Sequence, residues 1–230
     1  MTPLVLLPGM MCDARLFGPQ IAVLSATCTL HLPPIGGFET VQAIAANILR
    51  HAPPHFALAG LSMGGIVAME ILAQSPDRVT KIALLDTNPL SETPETQARR
   101  PPQIARVLAG GLEAVMRDEM KPLYLSNTPH RTDILDLCMD MARALGPETF
   151  ARQSRALATR PDQTHILRAF KRPALVLMGE ADILCPRARH DLMHALMPQS
   201  QLAIIPGAGH LPTLEKPTET TAQLRRWLEE

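Results

Sequence analysis

Residues 60–65 read Gly60-Leu61-Ser62-Met63-Gly64-Gly65, set between an apolar run at 56–59 and a second at 66–72. The first run is short enough for a strand. The second is apolar almost all round, as a central buried helix must be. A serine with glycine two residues before and two after lets a strand turn sharply into a helix, because the two backbones nearly touch there and only small residues fit. The turn forces the serine backbone into a strained conformation and lifts its hydroxyl above the sheet. A chain built around such a turn needs a sheet covered by helices on both faces.

The rest of the sequence has the matching rhythm. Strand candidates are Leu4–Leu7, 28–32, Phe56–Leu61, 81–86, 174–178 and Gln201–Ile205. They are near-continuous apolar segments, as buried parallel strands are. Helical patterns fall between them, at 40–50 (stripe Val41, Ile44, Ala45, Ile48), 65–74, 186–197 and 217–230, the last with Leu224, Trp227 and Leu228 inward. This alternation predicts an α/β fold with a mostly parallel six-stranded sheet. The segment 91–172 breaks the rhythm. It has helical patches punctuated by Pro101-Pro102, Gly110-Gly111, Pro129 and Gly146-Pro147, and it reads as a helical cap inserted between core segments 1–90 and 173–230.

Composition narrows the function. Lysine plus arginine equals aspartate plus glutamate at 22 each, so no basic surface for nucleic acid is expected. The inserted segment has 13 basic against 10 acidic residues, a mild bias toward anions if those charges are free. No apolar run is long enough to span a bilayer. The first run, Leu4–Leu7, lacks a preceding lysine or arginine and stops at Pro8-Gly9, unlike a signal peptide. The four scattered cysteines have no Cys-x-x-Cys pair, as expected for a reduced cytoplasmic chain. His190 and His194 are four apart on a helix, but Asp191 replaces the glutamate of the metalloprotease motif and no third ligand is evident, so no metal is expected.

A serine hydroxyl is a poor nucleophile until a histidine takes its proton and a carboxylate orients that histidine. Of eight histidines, His210 stands out: its loop, Gly207-Ala208-Gly209-His210, directly follows the last predicted strand. His31, His51, His55, His130 and His165 lack such a placement and read as surface or structural. Asp182 follows the strand at 174–178 and is the favoured acid; Asp86 is the rival, free to cap a helix or bond the loop through Asn88, with Glu180 third. Acyl transfer would also need two backbone N–H donors for the developing oxyanion. These fall to Met63 and to the loop after the first strand, where Met10 is favoured and Met11 is the alternative. Met11 is also expected to line the substrate pocket.

These segments resemble the α/β-hydrolase superfamily, and within it small bacterial pimeloyl-acyl-carrier-protein methyl ester esterases and 3-oxoadipate enol-lactonases. The resemblance rests on Pro8-Gly9-Met10-Met11, on residues 60–65, on Gly179-Glu180-Ala181-Asp182, and on Gly207-Ala208-Gly209-His210-Leu211-Pro212-Thr213-Leu214-Glu215. It implies a catalytic triad of Ser62, Asp182 and His210, an oxyanion hole at Met10 and Met63, and a lid formed by residues 91–172. Pro8 replaces the histidine usual in the first loop, and the usual leading hairpin is missing. Ser62 excludes haloalkane dehalogenases, whose nucleophile is an aspartate.

The expected activity is therefore a serine hydrolase that cleaves a small carboxylic ester or lactone through an acyl-enzyme, without a cofactor. Twelve methionines, three of them near the site, suggest a soft apolar pocket. A lyase or C–C bond hydrolase of the same fold is the alternative chemistry. A non-catalytic ligand-binding protein is the alternative class.

Overall fold

The structure, a computed structural model, describes residues 2–230. Strand β1 (Leu4–Leu7), buried along its whole length, leads through a 3-10 turn (Ala14–Phe17) to helix α1 (Gly18–Leu24) and a short strand β2 (Leu30–His31). Helix α2 (Val41–His51) begins where the Thr40 hydroxyl accepts the Ala43 N–H, and the stripe Val41, Ile44, Ala45, Ile48 is its buried face. Strand β3 (Phe56–Leu61), helix α3 (Met63–Gln74) and strand β4 (Val79–Leu85) form the centre. Ten consecutive residues of α3, Met63 to Leu72, are buried, which is why its sequence has no polar face.

Between β4 and the next strand the chain is helical: α4 (Pro94–Arg106), α5 (Leu112–Val115), α6 (Arg131–Ala158) and α7 (Thr164–Ala169). α6 is two helical pieces joined at Gly146, whose φ of 77° breaks the helix before Pro147 starts the second piece. Strand β5 (Ala174–Gly179), helix α8 (Arg187–Leu196), strand β6 (Gln201–Ile205), a single turn α9 (Pro212–Glu215) and helix α10 (Pro217–Glu229) complete the chain. Leu224 and Trp227 of α10 are fully buried and Leu228 partly so. Each full burial of this kind stabilises by roughly 1.5–3 kcal/mol.

The six strands form one sheet in the order β2-β1-β3-β4-β5-β6, and every pairing is parallel. The strand order reverses between β1 and β3. Their C-terminal ends frame the crevice where α/β sheets bind ligands. A parallel sheet also puts the loops after β1, β3, β5 and β6 on one edge.

Three strands differ in their bounds from expectation, the one expected at 174–178 only by running on to Gly179. The strand predicted at 28–32 shrinks to two residues, because the Cys28 N–H still bonds the Leu24 carbonyl and Pro33-Pro34 cannot donate to a ladder. The strand predicted at 81–86 starts earlier, at Val79, and Asp86 leaves it with φ 42°.

His190 of α8 is fully buried, and neither ring nitrogen has a hydrogen-bond partner among the described residues. Burial pushes its pKa down to about 4. An imidazole neutral in the folded chain but with an ordinary value of about 6.5 when unfolded takes up a proton on unfolding. Its contribution is complete above pH 6.5 and is lost as pH falls toward 4. Chemical denaturation should show about 2 kcal/mol of stability lost between pH 7 and pH 5 from this group alone. His190→Leu should remove that share of the pH dependence, and an unchanged slope in the variant would refute the assignment.

Candidate active site

Ser62 stands at the turn between β3 and α3 with φ 55° and ψ −116°, a backbone state that costs a non-glycine residue about 1–3 kcal/mol. Its surroundings over-determine that state. The Ser62 N–H donates to the Leu85 carbonyl at 2.9 Å, and the Thr87 hydroxyl donates to the Ser62 carbonyl at 2.7 Å. A Cβ on Gly64 would lie 2.0 Å from the Leu7 carbonyl oxygen, and one on Gly60 would lie 2.2 Å from the carbonyl oxygen of Gly64. Backbone meets backbone there, so no side chain can move aside.

The five residues after β6 bring His210 back over the same edge. Glu215, buried, accepts the N–H groups of Gly209 and Leu211 at 2.8 and 3.2 Å. The His210 N–H itself donates to the carbonyl of Tyr124, from the helical segment, at 2.7 Å. So held, His210 Nε2 lies 2.9 Å from Ser62 Oγ, and Nδ1 lies 2.9 Å from Asp182 Oδ2. The chain of three groups predicted from sequence is therefore hydrogen-bonded end to end.

Asp182 follows β5. The N–H groups of Leu184 and Cys185 both donate to its Oδ1, at 2.8 and 3.1 Å, leaving Oδ2 for the imidazole. Burial alone would push this carboxyl up. The bond and charge of His210, with the two backbone donors, outweigh burial and hold it below its ordinary value.

The rival acid has a different role. Asp86 neither caps a helix nor bonds through Asn88; the Gly179 N–H donates to its Oδ1 at 2.8 Å, and its Oδ2 has no partner among the described residues. Asn88 instead accepts the Leu90 N–H. Burial first, and then the neighbouring charge of Asp182, push the Asp86 carboxyl well above its ordinary value. Glu180 is exposed and accepts the Gly207 N–H.

Neither the Met63 N–H, in the first turn of α3, nor the Met10 N–H donates to any acceptor among the described residues. The Met11 N–H is occupied, donating to Gln153 Oε1 of α6 at 2.9 Å. Met11 also has no exposed surface and a φ of 55°. It is thus a buried anchor of the loop, not the accessible pocket residue expected.

The remaining histidines stay apart. His51, His55, His130 and His165 are exposed and His31 half-buried; His194 Nδ1 lies 2.8 Å from Ser200 Oγ, and no third ligand joins it and His190 among the described residues. Several cations of residues 91–172 are paired: Arg100 and Arg160 both bind Glu92 and Arg143 binds Glu113 within the segment, and Arg155 binds Glu39 of the core. Sequence reasoning missed Gln153, Thr87, the Tyr124 carbonyl and the grip of Glu215. Only Glu215, in the segment after His210, carried a signal.

The family model that matches this chain, described as the alpha/beta hydrolase family, covers residues 4–224. The chain belongs to the alpha/beta hydrolase family. A relative within it, the pimeloyl-[acyl-carrier protein] methyl ester esterase of Citrobacter koseri, is 26% identical over 94% of this chain and 90% of its own length. Among solved structures, a thermophilic esterase from Thermogutta terrifontis is 30% identical, with TM-score 0.90 over 100% of this chain and 90% of that one. The enol-lactonase of Burkholderia xenovorans LB400, at 21% identity and TM-score 0.86 over 100% and 92% of the two chains, shares the fold.

Gly64→Ala should destabilise the protein by at least about 3 kcal/mol in chemical denaturation, because its methyl group meets backbone. Gly18→Ala, with nothing within 4 Å of the added carbon, should change stability by no more than about 0.5 kcal/mol.

Proposed function

We propose that this alpha/beta hydrolase is a serine hydrolase that cleaves a small carboxylic ester or lactone. One observation carries the reading: the 2.9 Å contacts linking Ser62 Oγ to His210 and His210 to Asp182, on the carboxyl edge of the sheet. The esterase and lactonase activities named for the relatives support it.

In this reading His210 Nε2 removes the hydroxyl proton as Ser62 Oγ attacks the ester carbonyl. Asp182 keeps the proton on Nδ1, so that Nε2 is free to accept, and stabilises the imidazolium that forms. The Met10 and Met63 N–H groups receive the negative charge on the carbonyl oxygen, each donor being worth about 3–4 kcal/mol in the transition state. His210 then returns its proton to the leaving alkoxide, and water resolves the acyl-enzyme by the same steps. No group beyond this chain is needed.

Residues 91–172 act in this proposal as a lid. The support is contact with the site itself: the Tyr124 carbonyl holds the His210 N–H, and Gln153 holds the loop that carries Met10. Among the described residues no helix is long and apolar enough to cross a membrane. The four cysteines are free thiols, in keeping with a reducing cytoplasm.

Ser62→Ala should lower kcat on p-nitrophenyl butyrate at least about 10⁴-fold and abolish fluorophosphonate labelling. Equal hydrolysis by wild type and variant would remove Ser62 as the nucleophile, and labelling of Ser62 without ester turnover would favour a lyase. The two acids separate cleanly. Asp182→Asn should cost about 10³–10⁴-fold in kcat through the wrong imidazole tautomer. Asp86→Asn keeps the acceptor for the Gly179 N–H and lies outside the Ser62–His210–Asp182 chain, so its kcat should remain within about tenfold of wild type, a difference of about 1.4 kcal/mol or less.

A further inference from the structure

Cys185 lies three residues beyond Asp182 in the same loop, and the mechanism makes no use of its thiol. Its Sγ, a carboxylate oxygen of Asp182 and a ring nitrogen of His210 all lie within 4.8 Å of one another. All three donor groups are buried, and the same loop carries Ile183 and Leu184 with 65% and 39% of their surface exposed.

We propose that Cys185, His210 and Asp182 form an inhibitory site for a thiophilic divalent cation, zinc or cadmium, which switches the hydrolase off by occupying the contact between its histidine and its acid.

The donor chemistry selects the ion. One thiolate, one imidazole and one carboxylate form a three-ligand set with an open fourth position, which suits zinc and cadmium and disfavours magnesium and calcium. Zinc bonds of about 2.0–2.3 Å place tetrahedral donors about 3.3–3.8 Å apart. The three atoms already lie within 4.8 Å, so gathering them requires movements on the order of 1 Å. The carboxylate is braced as metal-binding carboxylates are, with Oδ1 fixed by the Leu184 and Cys185 N–H groups.

The consequence follows from proton bookkeeping. The nitrogen facing Asp182 is Nδ1, 2.9 Å from Oδ2. A cation bound to Nδ1 forces the single proton of the neutral imidazole onto Nε2, and the thiol releases one proton to solvent. Nε2–H then donates to Ser62 Oγ and can no longer accept from it. The nucleophile loses its base although no atom of Ser62 is touched. This places the cation outside the reaction, as an inhibitor and not a cofactor.

The loss of activity rests on the role proposed above for His210; the binding itself does not. Two readouts keep them apart. Zinc titrated into wild type should abolish p-nitrophenyl butyrate hydrolysis, with EDTA restoring it. Cys185→Ala, each protein being referred to its own zinc-free rate, should need at least about tenfold more zinc than wild type for the same fractional loss. Independently, one equivalent of cadmium should give the ultraviolet thiolate charge-transfer band in wild type and in Ser62→Ala. That band should be absent in Cys185→Ala and Cys185→Ser and weakened in His210→Asn. Equal zinc sensitivity of wild type and Cys185→Ala would overturn the proposal, as would a cadmium band that survives loss of the thiol. If the protein hydrolyses no ester, the cadmium band in Ser62→Ala still decides whether the site exists.

Discussion

Everything at the carboxyl edge of the sheet depends on how closely the loop after β1 and the start of α3 approach each other. Gly64 sits against the Leu7 carbonyl with no room for a methyl group, and that contact fixes the serine turn relative to the segment carrying Met10. The same constraint recurs on the far side of the site, where a Cβ on Gly179 would lie 1.9 Å from the Gly209 carbonyl oxygen. One contact sets the Ser62 turn beside the loop of Met10, and the other sets the Asp182 loop beside the His210 loop.

The parallel sheet was legible because both its faces are covered. Strands buried along their length, Leu4–Leu7 and Phe56–Leu61, read as unbroken apolar runs and have the bounds expected of them, and so does the half-buried edge strand Gln201–Ile205. The edge strand β2 was over-read, because Cys28 belongs to the end of the preceding helix turn. Membership of the alpha/beta hydrolase family agrees with this reading of the core.

The site was legible to the degree that its residues carry unusual local sequence. Ser62 and His210 stand in glycine-containing turns that announce a sharp change of direction. Asp86 and Asp182 could not be told apart with equal certainty, since both follow a strand; what separates them is burial without a countercharge at the first and three hydrogen-bond donors at the second. Gln153 and the Tyr124 carbonyl were invisible. Their partners lie 142 residues away for Gln153 and across the sheet edge for Tyr124, and no local pattern records such a pairing.

Tyr124 supports His210 through its backbone carbonyl, and a carbonyl is supplied by every amino acid. The base is thus anchored to the insertion by its path and not by its spelling. Exchanging the Tyr124 side chain leaves that carbonyl in place. Such a division lets the sequence of the insertion drift while the imidazole stays where the backbone puts it.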